Sequence, residues 1–124
     1  MSSKIYNIGA SHGDEEVIFH LRSISLAEEN RYTARYAEIS DLDSDEKRAE
    51  QEYAILTDVL ADWSSVAPTV KINGKEEDGE GSVEITPALA VKAYFEERTP
   101  EKERTAQQVV LQFRRKLQPK VVFY

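Results

Sequence analysis

The stretch AEQEYAILTDVLADW, residues 49–63, decides the fold. Ala49, Tyr53, Leu56, Leu60 and Trp63 recur at alternating four- and three-residue steps, the period of one apolar face on an α-helix. Ile55, Val59 and Val66 widen that face, which makes this helix the expected centre of the core. A seam of this kind suits an antiparallel helix pair within the chain. It would also serve a dimer, but it covers too few heptads to argue for a long coiled coil.

Upstream, Ser40 to Asp45 reads as a turn, and Asp43 with Glu46 has the spacing of a capping box that starts the helix near residue 44. Ser25 with Glu28 has the same spacing and predicts a helix over about 26–39. On that helix Tyr32, Tyr36 and Ile39 share one face, while Ala27, Ala34 and Ala37 form a small-residue stripe open to a second helix. Earlier still, Lys4 to Ile8, a break from Gly9 to Gly13, and the alternation of Val17, Phe19 and Leu21 with Ile18, His20 and Arg22 predict a short β hairpin over 4–22.

Downstream of Trp63 the helical period disappears. Thr69–Ile72 and Ser82–Ile85 alternate as strands do, and Asn73-Gly74 and Asp78-Gly79 supply turn chemistry. A mobile acidic hairpin-like loop is therefore expected near 68–85. Thr86-Pro87 and Thr99-Pro100 each place a capping hydroxyl before a proline at the first helical position. They open helices expected over 87–98 and 100–117, the second carrying Ala106, Val109, Val110, Phe113 and Leu117 on one stripe. Pro119 stops that helix, and the apolar residues Val121, Val122, Phe123 and Tyr124 follow. The expected fold is α+β and mainly α, as a single domain over 1–124.

Composition bounds the function. A 40% hydrophobic fraction is too high for a disordered chain, and 31% charged residues give a well-solvated surface. There is no apolar run near the roughly 20 residues needed to span a bilayer, so a cytosolic protein without membrane contact is expected. With no cysteine there is no disulfide, thiol nucleophile or thiolate metal site. The net charge of −7 is uneven: residues 1–66 hold 14 acids against 6 bases, and residues 67–124 hold 9 against 10. The basic end from Arg104 to Lys120 complements a helix C-terminus.

No residue set converges on chemistry. His12 sits in a glycine loop and His20 in an alternating strand, and neither has a partner at ligand or triad spacing. The loop Gly74 to Glu80 is acidic, but Gly74 stands where a calcium loop needs an oxygen ligand. Gly-rich phosphate loops are absent, and nucleic-acid binding lacks a basic patch with aromatics. No enzyme activity, metal or cofactor is expected. Trp63 either plugs the core, which the seam favours, or anchors a partner. The residues 121–124 add a strand in cis or dock on another chain. Tyr53, Leu60, Trp63, Val121, Val122, Phe123 and Tyr124 are the candidate partner-binding residues.

The layout resembles the tail assembly chaperones of long-tailed bacteriophages. Ile24-Ser25-Leu26-Ala27-Glu28-Glu29 is similar to that family's helix opening, and Leu60-Ala61-Asp62-Trp63 to its helix ending in tryptophan. An acidic glycine-containing loop joins them to Thr86-Pro87-Ala88-Leu89, although the family's loop is commonly shorter. The resemblance implies a non-enzymatic protein of the host cytoplasm, possible as a homo-oligomer, that binds the tape-measure protein, recruits the major tail protein and is absent from the finished particle. Two other readings stand beside it. One is an acidic inhibitor that mimics nucleic acid through Glu28, Glu29, Glu38, Asp41, Asp43, Asp45, Glu46, Glu50 and Glu52; the other is a structural tail-completion or connector component.

Overall fold

The computed structural model describes residues 4–72, 75–77 and 86–117. Four strands form one antiparallel sheet in the order β1 (Ile5–His12), β2 (Glu15–Arg22), β3 (Ser64–Ile72) and β4 (Lys75–Glu77). Helices α1 (Leu26–Glu38) and α2 (Asp45–Trp63) lie between β2 and β3 in sequence, and α3 (Pro87–Tyr94) and α4 (Pro100–Leu117) follow. The chain is α+β and mainly α.

The hairpin is longer than the sequence suggests. β1 continues through Gly9, Ala10 and Ser11 to His12, because Ile8 and Ala10 keep the inward alternation that begins opposite Leu21 and Phe19. Gly9 is an ordinary strand residue, and the turn rests on Gly13 at φ 59, a conformation that costs glycine little. Val17, Phe19 and Leu21 point to the core on the same face.

β3 begins directly at Ser64, with no loop after α2, so the end of the central helix feeds the sheet. Ile18 pairs with Thr69 and His20 with Val66, which leaves Ala67 and Pro68 opposite one residue. This bulge explains how a proline, lacking a donor, sits in an interior strand. Ile72 then pairs with Lys75, leaving Asn73 and Gly74 to connect β3 to β4. The expected strand at Ser82–Ile85 lies outside the described residues, as does the remainder of the acidic loop.

Three helix boundaries shift. The N-cap of α2 is Ser44, whose hydroxyl accepts from Lys47 N–H at 3.1 Å, and not Asp43. α1 ends at Glu38 and passes into a 3-10 turn over Ile39–Asp41. α3 ends at Tyr94 rather than Arg98; Phe95 leaves helical geometry at φ −93, ψ 3, and Thr99 before Pro100 is biased away from it. The remaining caps are as expected. Ser25 and Glu28 form the reciprocal capping box, and Thr86 and Thr99 accept from Leu89 and Lys102 N–H.

The core lies between the sheet and the helices. Trp63 is 1% exposed and Leu60 fully buried. Trp63 packs between the ring of Phe113, tilted at 5.4 Å, and that of Tyr32, edge-on at 5.7 Å, while Phe19 stacks on Phe95 at 5.7 Å. α3 packs on α2 and β3, and α4 on α2 and β1. Along that last contact Gln112 Nε2 donates to the Gly9 carbonyl at 3.2 Å, a side-chain cover for an edge strand.

Candidate functional site

α1 departs from its neighbours. Of its thirteen residues only Tyr32 is buried, and among the described residues no helix covers the stripe of Ala27, Ala34 and Ala37, all exposed. Polar contacts do most of the holding. Arg22 donates to both oxygens of Glu28, at 3.3 and 2.6 Å. With the Ser25 N–H adding to it, this holds the Glu28 carboxyl down at about 2. Arg35 pairs with Asp58 of α2 at 3.2 Å, and Arg114 of α4 with Glu29 at 2.6 Å. The Arg114 guanidinium also lies 5.5 Å over the Tyr32 ring.

Between α1 and α4 lies an open groove, floored by α2. Tyr32, Tyr36 and Ala37 form one wall, Val110 and Leu111 the other, with Leu56 beneath, and the space is about 500 Å³. Past Thr33 and Arg114 it continues as a second depression of about 450 Å³ beside Ile24, Leu26 and Leu117. Leu26, Leu111 and Tyr36 are 76%, 49% and 42% exposed. Exposed apolar residues are unremarkable singly, but two in the groove and a third in the depression that adjoins it mark an interaction surface.

Two carboxylates punctuate this apolar surface. Glu52 on the floor accepts from Gln107 Nε2 at 3.1 Å, and no cation pairs with it among the described residues. Glu29 gives one oxygen to Arg114, and its other, Oε2, is buried with no hydrogen-bond partner. The two phenols stay neutral at physiological pH. Burial pushes Tyr32 up to about 12, against the opposing pull of Arg114, and burial followed by Glu52 raises Tyr36. The groove therefore offers aromatic and aliphatic surface with a small excess of negative charge.

Of the residues expected to bind a partner, Leu60 and Trp63 are core residues with almost no surface to offer in this fold. Tyr53 is half-buried, and its hydroxyl donates to the Phe95 carbonyl at 2.7 Å. Val121, Val122, Phe123 and Tyr124 lie outside the described residues. The groove residues Leu26, Tyr36 and Leu111 went unread as a surface. Leu111 carried a signal, since it falls off the α4 stripe of Ala106, Val109, Val110 and Phe113.

The histidines have structural places. His20 Nδ1 is 2.8 Å from Asn7 Oδ1, which only accepts, so Nδ1 carries the proton and Nε2 accepts from the Thr69 hydroxyl at 3.3 Å. His12 closes the hairpin opposite Glu15. Among the described residues no group of three or more histidines and carboxylates is placed to hold a metal, and no helix is long and apolar enough to cross a membrane. Several acids of the nucleic-acid-mimic reading are engaged within the fold: Glu28 with Arg22, Glu29 with Arg114 and Asp45 with Arg48. No protein-family model, curated protein or solved structure matches this chain.

Proposed function

We propose that this protein is a non-enzymatic assembly chaperone of the kind long-tailed phages use, which binds the tape-measure protein in the host cytoplasm, recruits tail-tube subunits and leaves before the particle is complete. One observation carries the reading: the apolar groove between α1 and α4, lined by Leu26, Tyr36 and Leu111 and covered by no other described part of the chain. A holdase needs an apolar surface that a client's helices can share, on a protein charged enough to keep the complex in solution. The groove meets the first requirement and the net charge of −7 the second. The resemblance of the Ser25 and Thr86-Pro87 helix openings to the family's supports the same assignment.

The test is co-expression with a phage tape-measure protein, followed by affinity pull-down and measurement of that partner's soluble fraction. A stoichiometric complex that keeps the partner soluble is expected. Absence of both complex and solubility gain would remove the chaperone reading, and recovery of the protein from purified particles would favour a structural component.

A further inference from the structure

The groove between α1 and α4 lies open at the end where the chain leaves α4. Leu117, the last residue of that helix, lines the depression beside Ile24 and Leu26, and Arg114 lines both this depression and the groove that continues from it. The next seven residues, Gln118 to Tyr124, lie outside the described residues. Pro119 is incompatible with further helix and biases Gln118 toward extended backbone. Leu111 stands six residues before Leu117, about 9 Å back along the α4 axis, whereas the six residues Gln118 to Phe123 can span up to about 20 Å. That reach suffices for a reversal at Pro119 and a return along the groove.

We propose that Val121 to Tyr124 fold back into the α1–α4 groove of their own chain and cover Leu26, Tyr36 and Leu111 until a client displaces them. Connectivity and apolar pattern select this occupant. Four consecutive apolar residues without alternation call for cover on both sides of the chain. A place beside β1 would offer apolar surface on one side only, since that strand turns Ile8 and Ala10 inward and Asn7 and Ser11 outward. The groove offers Tyr32 and Tyr36 on one wall, Val110 and Leu111 on the other and Leu56 beneath. A segment tethered this closely has an effective concentration in the millimolar range, so a weak contact keeps the groove filled, and a client sees only the open fraction. This inference rests on the binding role proposed above and deepens it with a built-in cover for the site.

The chain has no cysteine, so a pair of introduced thiols reports the contact directly. Leu111→Cys with Phe123→Cys should close an intramolecular disulfide in the dilute full chain, since that bond needs Cα atoms within about 7 Å of each other. Ile72→Cys with Phe123→Cys should stay reduced, because Ile72 stands opposite Glu15 at the hairpin turn, whereas Leu117 lies by Ile24 beyond the other end of β2. A labelled peptide with the sequence of Gln118 to Tyr124 should bind the full chain carrying Val122→Asp and Phe123→Asp at least about tenfold more tightly than the parent, whose groove is already filled. Adding Leu111→Asp, at a half-exposed position, to that double variant should abolish peptide binding with an unchanged melting curve.

Equal peptide binding by the parent and the double variant, no binding by either, or binding that survives Leu111→Asp would overturn the proposal. So would a disulfide found only between chains, which would give the groove to a second copy. The co-expression complex separates the two levels. If the disulfide closes and the peptide behaves as expected but no complex forms, the cover stands and the chaperone reading falls. If the complex forms while the disulfide and peptide tests fail, the chaperone reading stands and the cover falls.

Discussion

Helices α1 and α2 pack against each other and each carries an apolar face, yet α2 buries six residues and α1 one. α2 is sealed by the sheet, α3 and α4, whereas α1 is tied to its neighbours by the ion pairs of Arg22 with Glu28, Arg35 with Asp58 and Arg114 with Glu29. An apolar stripe in sequence shows that a face must be covered. It does not show that the cover comes from the same chain.

The contrast breaks first at Trp63. Trp63→Ala removes a ring packed between Tyr32 and Phe113 and should cost about 3–5 kcal/mol, read from the urea midpoint. A variant as stable as the parent would mean that α2 is no more central than α1. The anchor at the start of α1 is worth less. Glu28→Gln should cost about 1–2 kcal/mol at neutral pH, since it weakens both the Arg22 pair and the cap.

The pH dependence of that loss has a definite sign. Glu28 is held at about 2, below the ordinary carboxyl value, so the folded state binds fewer protons than the unfolded one. Its contribution is complete above the ordinary range near pH 4 to 5 and disappears as pH falls through about 2. Parent and Glu28→Gln stabilities should therefore converge on acidification. A gap that persists at pH 2 would assign the effect to something other than the ion pair.

Tyr53→Phe tests the junction of the central helix with α3. It deletes one hydroxyl donating to the Phe95 carbonyl at 2.7 Å and keeps the ring, which should cost about 1 kcal/mol. A loss well above this would show that the end of α3 at Phe95 depends on that bond, and no loss would show that water replaces it.

Much of this architecture was legible because it depends on local rules. The hydroxyls of Ser25, Thr86 and Thr99 cap where their spacing places them, and Leu56, Leu60 and Trp63 of the seam are buried as its period implies, while Tyr53 is half-buried and Ala49 exposed. Non-local facts were not legible. Gly9 looked like a break, yet it continues a strand because Ile8 and Ala10 find Phe19 and Val17 across the hairpin. Pro68 sits in an interior strand because a bulge accommodates it, a pairing the local sequence does not show. The groove was least visible, since it lies between α1 and α4, which meet through Arg114 and Glu29 across 85 residues of sequence. The alanine stripe named a place for a helix without saying whose.

The smallest effect on stability comes with a large effect on binding, and it tests the comparison most directly. Leu26 is the first residue of α1 and 76% exposed, so it contributes little to the core. Leu26→Glu adds a carboxylate in a first turn that already holds Glu28 and Glu29, at the positive end of the helix dipole. The attraction of the dipole and the repulsion among the acids largely offset, and stability should move by less than about 0.5 kcal/mol in either direction. Binding should fall, because the apolar lip of the groove beside Leu117 is lost. A variant that melts early would show that α1 depends on Leu26 for its own packing; one that melts normally and still holds its partner would place the contact elsewhere on the chain.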